Sequence, residues 1–438
     1  MATPVPAQAE LVCPRWRFAS RISFRFGFLY LGLFCLTTQV LPGLFPIPKI
    51  DVPDLATAAP IRQTVFWTAA HVFHVSKSLV YSGSGSGDKT FDWVLAFCLL
   101  SIAVFATGVW SVLDRQRENY ITLHKWFHVF LRFAVGSEML LYGMVKVVPL
   151  QMPYPFLTRL VEPFGNFSPM GVLWYSIGAS PGYEMFVGSA EMLGGILLFF
   201  PRTTTFGALV CLADATEVFM LNMTYDVPVK LFSFHLILMS LVLLAPELPR
   251  IANFFFSNRG VGPSTHPKLF RTPRANRVAL TIQVLFGLLL IAMNGYSAWT
   301  NWHIYGGGAP KSPLYGIWNV DRLLTDGEPR PALLTEKDRW RRVIFERPGG
   351  ITFQRTDDTF LSYGATIDTK DGGIALTKGA DKKWKASLKF QRAGRDQLTL
   401  DGEMDGHRFH MQLELLDRNK LLLVNRGFHW IEEYPFNR

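Results

Sequence analysis

The sequence is poor in cysteine and lacks the short motifs that bind common redox cofactors. Its 438 residues include four cysteines, Cys13, Cys35, Cys98 and Cys211, and none of them forms the closely spaced pair that ligates zinc. The chain has no CxxCH haem motif, no flavin-binding fingerprint and no Glu-x-x-His pair of the di-iron type. No metal site and no covalently bound cofactor are therefore predicted, and any electron transfer must use a quinone or the cofactor of a partner.

Signals for nucleotides and nucleic acids are equally scarce. The tract GSGSGDKT at 83–90 resembles a phosphate-binding loop, but Asp88 separates its last glycine from Lys89 and no strand precedes it. The net charge is +10, but the basic residues lie in short blocks beside apolar runs and do not form one stripe. We therefore expect neither a nucleotide nor a nucleic acid as a partner.

Apolar and aromatic residues are abundant. Hydrophobic residues make up 49% of the chain, with 36 Phe and 12 Trp, which is more than one soluble core needs. Runs long enough to cross about 30 Å of hydrocarbon occur at 22–42, 91–112, 124–148, 183–200, 204–223, 230–248 and 277–300. The sequence therefore predicts an all-α membrane bundle of about seven spans, with membrane lipids as its surroundings.

Basic residues mark alternate loops between these runs. They lie at 15–25, at 115–117, at 202 and at 250–277. Because cytoplasmic loops carry the excess of Lys and Arg, the N-terminus is predicted to be cytoplasmic and the C-terminal domain to be outside the cytoplasm. The segment at 150–182, rich in Pro and Gly, is then an external loop that caps the bundle.

A weaker apolar stretch at 61–81 is interrupted by ionisable groups. Arg62, His71, His74 and Lys77 would be buried in lipid if it were a span, and the orientation of every later basic loop would be reversed. We interpret it as an amphipathic helix at the outer surface. The HxxH spacing of His71 and His74 is compatible with metal ligands, but surface histidines are the favoured interpretation.

Beyond residue 306 the pattern changes to short alternating segments separated by turn dipeptides such as Asp371-Gly372 and Asp401-Gly402. The segments read GIWNVDRLL, WRRVIFE, GITFQR, TFLSYGATI, WKASLKFQR, DQLTLDGEM, HRFHMQLELL and KLLLVNRGF. They predict an all-β, barrel-like domain. Trp318, in a Gly-x-Trp pattern, is expected in the floor of a lipocalin-type barrel, with Arg426 stacked across its closed end.

Ionisable and polar residues lie inside the central runs, where each charge costs roughly 2.5–3.5 kcal/mol. The candidate site consists of Arg132, Glu138, Tyr142, Lys146, Glu184, Glu191, Asp214, Glu217, Lys230 and His235. We predict pairing of Arg132 or Lys146 with Glu191, and of Lys230 with Glu217 or Asp226, helped by small residues at Gly188 and Gly195. Three interpretations remain open: pairs that only hold the bundle together, an outward-facing polar cavity for a proton relay or quinone headgroup, and a metal centre.

Two stretches in these runs resemble a known family. LRFAVGSEMLLYGMVKVVP at 131–149 resembles the first helix of the DoxX family, and FVGSAEMLGGILLFFPRTTTFGALV at 186–210 resembles its second. The resemblance implies a four-helix membrane unit related to a subunit of thiosulfate:quinone oxidoreductase, with Arg132, Lys146 and Glu191 at the matching positions. It also implies a bacterial inner-membrane location, because the whole chain looks like a larger bacterial group of DoxX-like membrane proteins.

Four regions follow from these patterns: an N-terminal hairpin at 1–123, a DoxX-like unit at 124–248, a basic loop and last helix at 249–305, and a lipocalin-like domain at 306–438. The expected function is that of an oxidoreductase subunit without a bound redox cofactor of its own, which uses a quinone and a redox partner subunit. Its external β-domain would dock that partner or hold a ligand. The alternatives are a non-enzymatic protein that binds a lipid or another apolar ligand, and a purely structural membrane partner.

Overall fold

The computed structural model describes residues 15–47, 50, 52–257, 260–262, 268–333, 335–379 and 381–437. Cys13 and Arg259 lie outside the described residues. The chain forms two compact units, one made of residues 1–147 and 185–298 and the other of residues 148–184 and 299–438.

Twelve α-helices occur in the described chain. They are α1 Phe18–Thr37, α2 Val40–Gly43, α3 Ala59–His71, α4 Thr90–Leu113, α5 Ile121–Val147, α6 Pro169–Gly178, α7 Pro181–Phe199, α8 Thr204–Thr224, α9 Lys230–Leu244, α10 Leu248–Phe256, α11 Pro273–Ile304 and α12 Leu422–Asn425. Short 3-10 turns lie at Leu55–Thr57, Arg159–Val161, Phe164–Asn166, Ala245–Glu247 and Arg418–Lys420. All seven predicted membrane runs are helical.

Five helical segments of the described chain are long and apolar enough to cross a membrane: Phe18–Thr37, Thr90–Leu113, Thr204–Thr224, Lys230–Phe256 and Pro273–Ile304. The chain is therefore a membrane protein with a helical part that contains several apolar helices. α5 and α7 have 27 and 19 residues but carry several of the ionisable groups discussed above. The count of seven spans stays a prediction.

The stretch predicted as a surface helix at 61–81 is helical only in α3, which has 13 residues and ends at His71. A helix of this length is about 20 Å long, too short to cross the hydrocarbon. Val65, Thr68 and Ala69 form its buried face, and Cys98 of α4 donates a hydrogen bond to Thr68.

Nine strands of the described residues form one antiparallel sheet. They are β1 Gly316–Thr325, β2 Glu328–Pro329, β3 Trp340–Phe345, β4 Gly350–Arg355, β5 Phe360–Asp368, β6 Gly373–Lys378, β7 Asp381–Gln391, β8 Gln397–Met404 and β9 His407–Leu415. Apart from the two-residue β2, they pair in chain order, and β9 pairs back with β1. The predicted barrel is confirmed as a closed barrel of eight strands, each of which pairs with a barrel strand on both sides.

One strand prediction was wrong, and one strand was not predicted. The segment predicted as a strand at 420–428 forms the end of a 3-10 turn and α12, and its Leu422 and Leu423 are exposed. The strand that completes the barrel is β6, which follows the turn at Gly372 and pairs with β5 and β7. Because β9 closes on β1, a further strand has no ladder to join.

Large side chains fill the barrel interior. Trp318, Phe345, Phe353 and Leu400 have no exposed surface, and the Trp318 indole donates a hydrogen bond to the carbonyl oxygen of Leu314 at 2.9 Å. An eight-stranded barrel is just wide enough for such a side-chain core.

The loop at 148–184 belongs to the same compact unit as the barrel. Its Leu157 is buried against Ile317 and Ile344, which alternate with inward-pointing residues and so lie on the outer face of β1 and β3. The Leu157 N–H donates to Glu346 at 3.0 Å, and Gln354 donates to the carbonyl of Val161 at 3.2 Å. The loop predicted to cap the helical bundle therefore covers one side of the barrel.

Candidate functional site

A buried ion pair joins α5 and α7. Lys146 Nζ lies 2.8 and 2.7 Å from the two carboxylate oxygens of Glu191, and the two side chains are 6% and 4% exposed. The predicted pairing of Lys146 with Glu191 is confirmed. The pair satisfies both charges in surroundings where neither has access to water.

Glycines allow the two helices to come close enough for this contact. A Cβ atom placed on Gly188 would lie 2.6 Å from the carbonyl oxygen of Gly143, and one placed on Gly195 would lie 2.7 Å from that of Gly136. Only glycine fits at such distances between backbones. The predicted role of Gly188 and Gly195 is confirmed.

A second buried group surrounds Glu138, on the same helix as Lys146. Gln39 Nε2 donates to Glu138 Oε2 at 2.8 Å and to the Tyr142 hydroxyl at 3.0 Å. Glu138 has no exposed surface, and its Oε1 has no hydrogen-bond partner among the described residues. A buried carboxyl oxygen without a donor costs free energy.

A cavity of about 290 Å³ opens beside this group. Gln39 and Tyr142 form part of its wall, together with Lys89 and Asp92 at the start of α4. Its apolar wall includes Phe34, Phe91, Leu95, Leu99 and Phe232. The cavity therefore combines an apolar wall with hydrogen-bond donors, one of which, Gln39, also contacts a buried carboxyl group.

Tyr142 links the two buried groups. The ammonium of Lys146 lies 5.9 Å from the centre of the Tyr142 ring, within the range of a cation–π contact. On α8, Asp214 is half-buried and Glu217 is exposed.

Arg132 does not pair with Glu191. Its Nε donates to the carbonyl of Leu198 at 2.8 Å, and its Nη1 donates to Gln283 at 3.2 Å. The last carbonyls of a helix have no partner within the helix, so the end of α7 offers Arg132 an acceptor nearer than the carboxylate. This alternative in the predicted pairing was wrong.

The other predicted site residues lie apart from this network. His235 is hydrogen-bonded to the Tyr30 hydroxyl at 2.8 Å and stacks on Phe34. Lys230 pairs with Asp226 at 3.0 Å, which is one of its two predicted pairings. Glu184 falls in the other compact unit, where it accepts the N–H of Met152 at 2.9 Å.

In the barrel, Trp318 is buried in the core, and Arg426 does not lie over it. Arg426 is exposed after β9, 4.5 Å from the ring centre of Phe436. The guanidinium over Trp318 is that of Arg392, at 5.8 Å. The tail continues away from the barrel in α12, so an arginine in the turn before β8 takes the predicted place.

The sequence patterns did not identify Gln39 as a residue of the candidate site or Asp88 as a helix cap. Gln39 is a lone amide in an apolar run, and such an interruption is the signal that could have identified it. Asp88 interrupts the phosphate-loop-like tract, and its carboxylate accepts the N–H groups of Lys230 and Leu231 at 2.8 and 2.9 Å. It therefore caps the start of α9 from a distant part of the chain.

No cluster of metal-ligating side chains occurs among the described residues. His71, one of the HxxH pair, bonds to the carbonyl of Trp67 at 2.9 Å and stacks on that ring. His74 is exposed, with a left-handed backbone conformation.

Comparison with known proteins gives one informative relative. No family model matches the chain, and no solved structure matches it significantly. A protein of Bacillus subtilis (strain 168), described as uncharacterized protein YwoB, is 30% identical over 129 residues, which are 30% of this chain and 79% of the relative. The chain therefore belongs to the same family as YwoB.

Proposed function

We propose that the protein is an inner-membrane component of a quinone-linked redox assembly, and that the cavity beside Gln39 and Tyr142 takes the quinone headgroup. The observation that carries this proposal is the hydrogen-bonded path from the cavity wall through Gln39 to the buried Glu138 carboxyl. The DoxX resemblance supports the same interpretation.

The chemistry of a quinone fits the donors in the cavity. Reduction of a quinone to a quinol takes up two electrons and two protons, and its carbonyl oxygens accept hydrogen bonds. The Tyr142 hydroxyl and the Lys89 ammonium line the cavity and are suitable donors to those oxygens. Glu138, which accepts a hydrogen bond from Gln39 on the same wall, would supply one of the two protons, and solvent water would supply the other. The electrons would come from a redox partner subunit, since the chain has no cofactor motif of its own.

The size of the cavity suits a headgroup. Its volume of about 290 Å³ is at the lower end of the range for small-molecule sites, which is enough for a substituted ring. The isoprenoid tail would then lie in lipid.

The barrel would serve as a docking module. In the proposed topology the N-terminus is cytoplasmic and the barrel is periplasmic or extracellular. The filled interior of the barrel supports docking over ligand holding, since Trp318, Phe345 and Phe353 occupy the space that an apolar ligand would need.

The rival function is binding of a lipid or another apolar molecule without redox chemistry. The apolar residues of the cavity wall favour it. The two functions differ in their need for Tyr142 and Glu138, because an apolar ligand uses neither.

Redox-induced infrared difference spectroscopy on the full-length protein with decylubiquinone tests the proposal. We expect a carboxyl C=O band that changes when an electrode reduces the quinone, and that is lost in Glu138→Gln. Glu118→Gln removes a carboxylate outside the cavity and should keep the band. Quinone affinity should fall about tenfold in Tyr142→Phe.

Equal quinone affinity in the wild type and Tyr142→Phe, together with an unchanged band in Glu138→Gln, would exclude this cavity as a quinone site. Binding that survives both substitutions but is lost on Phe232→Glu would favour the apolar-ligand function.

A further inference from the structure

A second cavity, of about 720 Å³, lies in the helical unit between the starts of α5, α8 and α11 and the end of α7. The described residues that line it include no Asp or Glu. Its ionisable residues are His124, Lys125, His128, Arg132, Arg202 and Lys268. The cavity is therefore strongly positive, and its natural ligand is an anion.

Arg132 supplies the strongest indication of a ligand. It is 3% exposed, and the hydrogen bonds to Leu198 and Gln283 use its Nε and Nη1. Arg132 lines the cavity, and its Nη2 has no hydrogen-bond partner among the described residues. A buried guanidinium with an unused donor costs free energy that an acceptor in the cavity would recover.

The guanidinium is held in a fixed position. Phe199, next to Leu198, stacks on Phe133 with ring centres 5.2 Å apart and packs against Gly287, where a Cβ would lie 2.8 Å from the Phe199 ring. These contacts lock α5, α7 and α11 together below Arg132. A planar donor that is fixed in this way favours an oxyanion with several acceptor atoms.

The rim of the cavity adds further donors. The Lys125 ammonium donates a hydrogen bond to the backbone carbonyl of Lys268 at 2.9 Å. Thr204 begins α8 at the rim, so the positive end of that helix faces the same space. Apolar residues such as Val129 and Leu280 form the rest of the wall.

We propose that this cavity binds a phosphate-type anion, either free or as the headgroup of an anionic lipid. Arg132 contacts its oxygens at the base of the cavity, and Arg202 and Lys268 balance its charge at the rim. The apolar wall accommodates the glycerol and first acyl carbons of a lipid. This site is separate from the quinone cavity and stands independently of the proposed function.

The test uses full-length protein in two arms. In the first, the protein is placed in nanodiscs of phosphatidylglycerol and phosphatidylcholine, transferred to detergent and examined by native mass spectrometry for retained lipid. In the second, delipidated protein is titrated with inorganic phosphate by calorimetry. Retained phosphatidylglycerol without phosphate binding identifies the lipid headgroup, and phosphate binding without lipid retention identifies a free anion.

The variants are Arg132→Gln, Arg202→Gln and Lys268→Gln. The last two change exposed side chains and leave the packing intact, so the test does not depend on the folding of Arg132→Gln. Each should weaken binding about tenfold. Arg271→Gln, which removes an exposed charge nearby but outside the cavity lining, is the control.

Absence of binding in both arms would overturn the proposal. It would also be overturned if Arg202→Gln and Lys268→Gln bound the anion as tightly as Arg271→Gln.

Discussion

Lys146 and Glu191 form an ion pair between α5 and α7, and the backbones of these two helices are in close contact at Gly143 and Gly188. The ion pair and the close backbone contact lie within one turn of each other on α5. The same helix carries Tyr142, which lines the first cavity, and Arg132, which lines the second, so one helix contributes to both cavities.

Substitution of one member of the ion pair should destabilise the protein strongly. Lys146→Ala leaves the Glu191 carboxylate buried without a partner, and we expect the free energy of unfolding to fall by about 3–5 kcal/mol. The double variant Lys146→Met/Glu191→Leu removes both charges and should recover most of the loss. Equilibrium unfolding in mixed detergent micelles measures both. A double variant less stable than Lys146→Ala would contradict this explanation.

A methyl group at Gly143 should separate α5 from α7. Its Cβ would lie 2.6 Å from the Gly188 carbonyl oxygen, which is backbone and cannot move aside. Gly143→Ala should therefore cost about 1–3 kcal/mol. In Gly108→Ala, a matched change in α4, the new Cβ meets nothing within 4 Å, and a gain of roughly 0.5–1 kcal/mol is expected. If Gly143→Ala and Gly108→Ala changed the free energy of unfolding in the same direction, close contact between α5 and α7 would be contradicted.

Loss of the Asp88 carboxylate should weaken the start of α9. Asp88→Ala removes the acceptor for the N–H groups of Lys230 and Leu231, at an expected cost of about 0.5–2 kcal/mol. Asp88→Asn keeps one acceptor oxygen and should retain most of the stability. Hydrogen exchange of the first turn of α9 reports the effect locally, and equal protection in the wild type and Asp88→Ala would refute the capping role.

The stability of the barrel unit should depend on the ionisation of Glu346. Burial raises the pKa of this carboxyl, although the hydrogen bond from the Leu157 N–H opposes the shift. The folded state therefore binds the proton more tightly than the unfolded state. Its contribution is fully present below the unfolded pKa and is lost as pH rises through the folded pKa.

Glu346→Gln keeps an acceptor for Leu157 and removes the titration. Its thermal midpoint should exceed that of the wild type near pH 7 and approach it near pH 4, as scanning fluorimetry of the full-length protein can measure. Glu433→Gln, an exposed change in the tail, should have no such effect. A constant difference between Glu346→Gln and the wild type across this range would show that the carboxyl does not titrate as expected.

Local patterns were sufficient to predict part of the candidate site. Lys146 and Glu191 stand out because a charge in an apolar run needs a partner, and glycines at one-turn spacing show where a partner helix can approach. The choice between Lys146 and Arg132 was beyond the sequence, because it depends on the carbonyl of Leu198 at the end of another helix. Gln39 was missed because its importance comes from Glu138, which lies 99 residues away.

The sequence by itself determined that apolar helices are followed by a β-barrel. The length of an apolar run and the two-residue alternation of apolar and polar residues are local properties, and both reflect the burial of apolar side chains away from water. It also determined the turns that separate most of the strands. The tertiary structure alone decided that β6 completes the barrel, that 148–184 covers the outer face of β1 and β3, and which cation meets which acceptor. These outcomes depend on contacts between residues far apart in the chain, and no local pattern contains those distances.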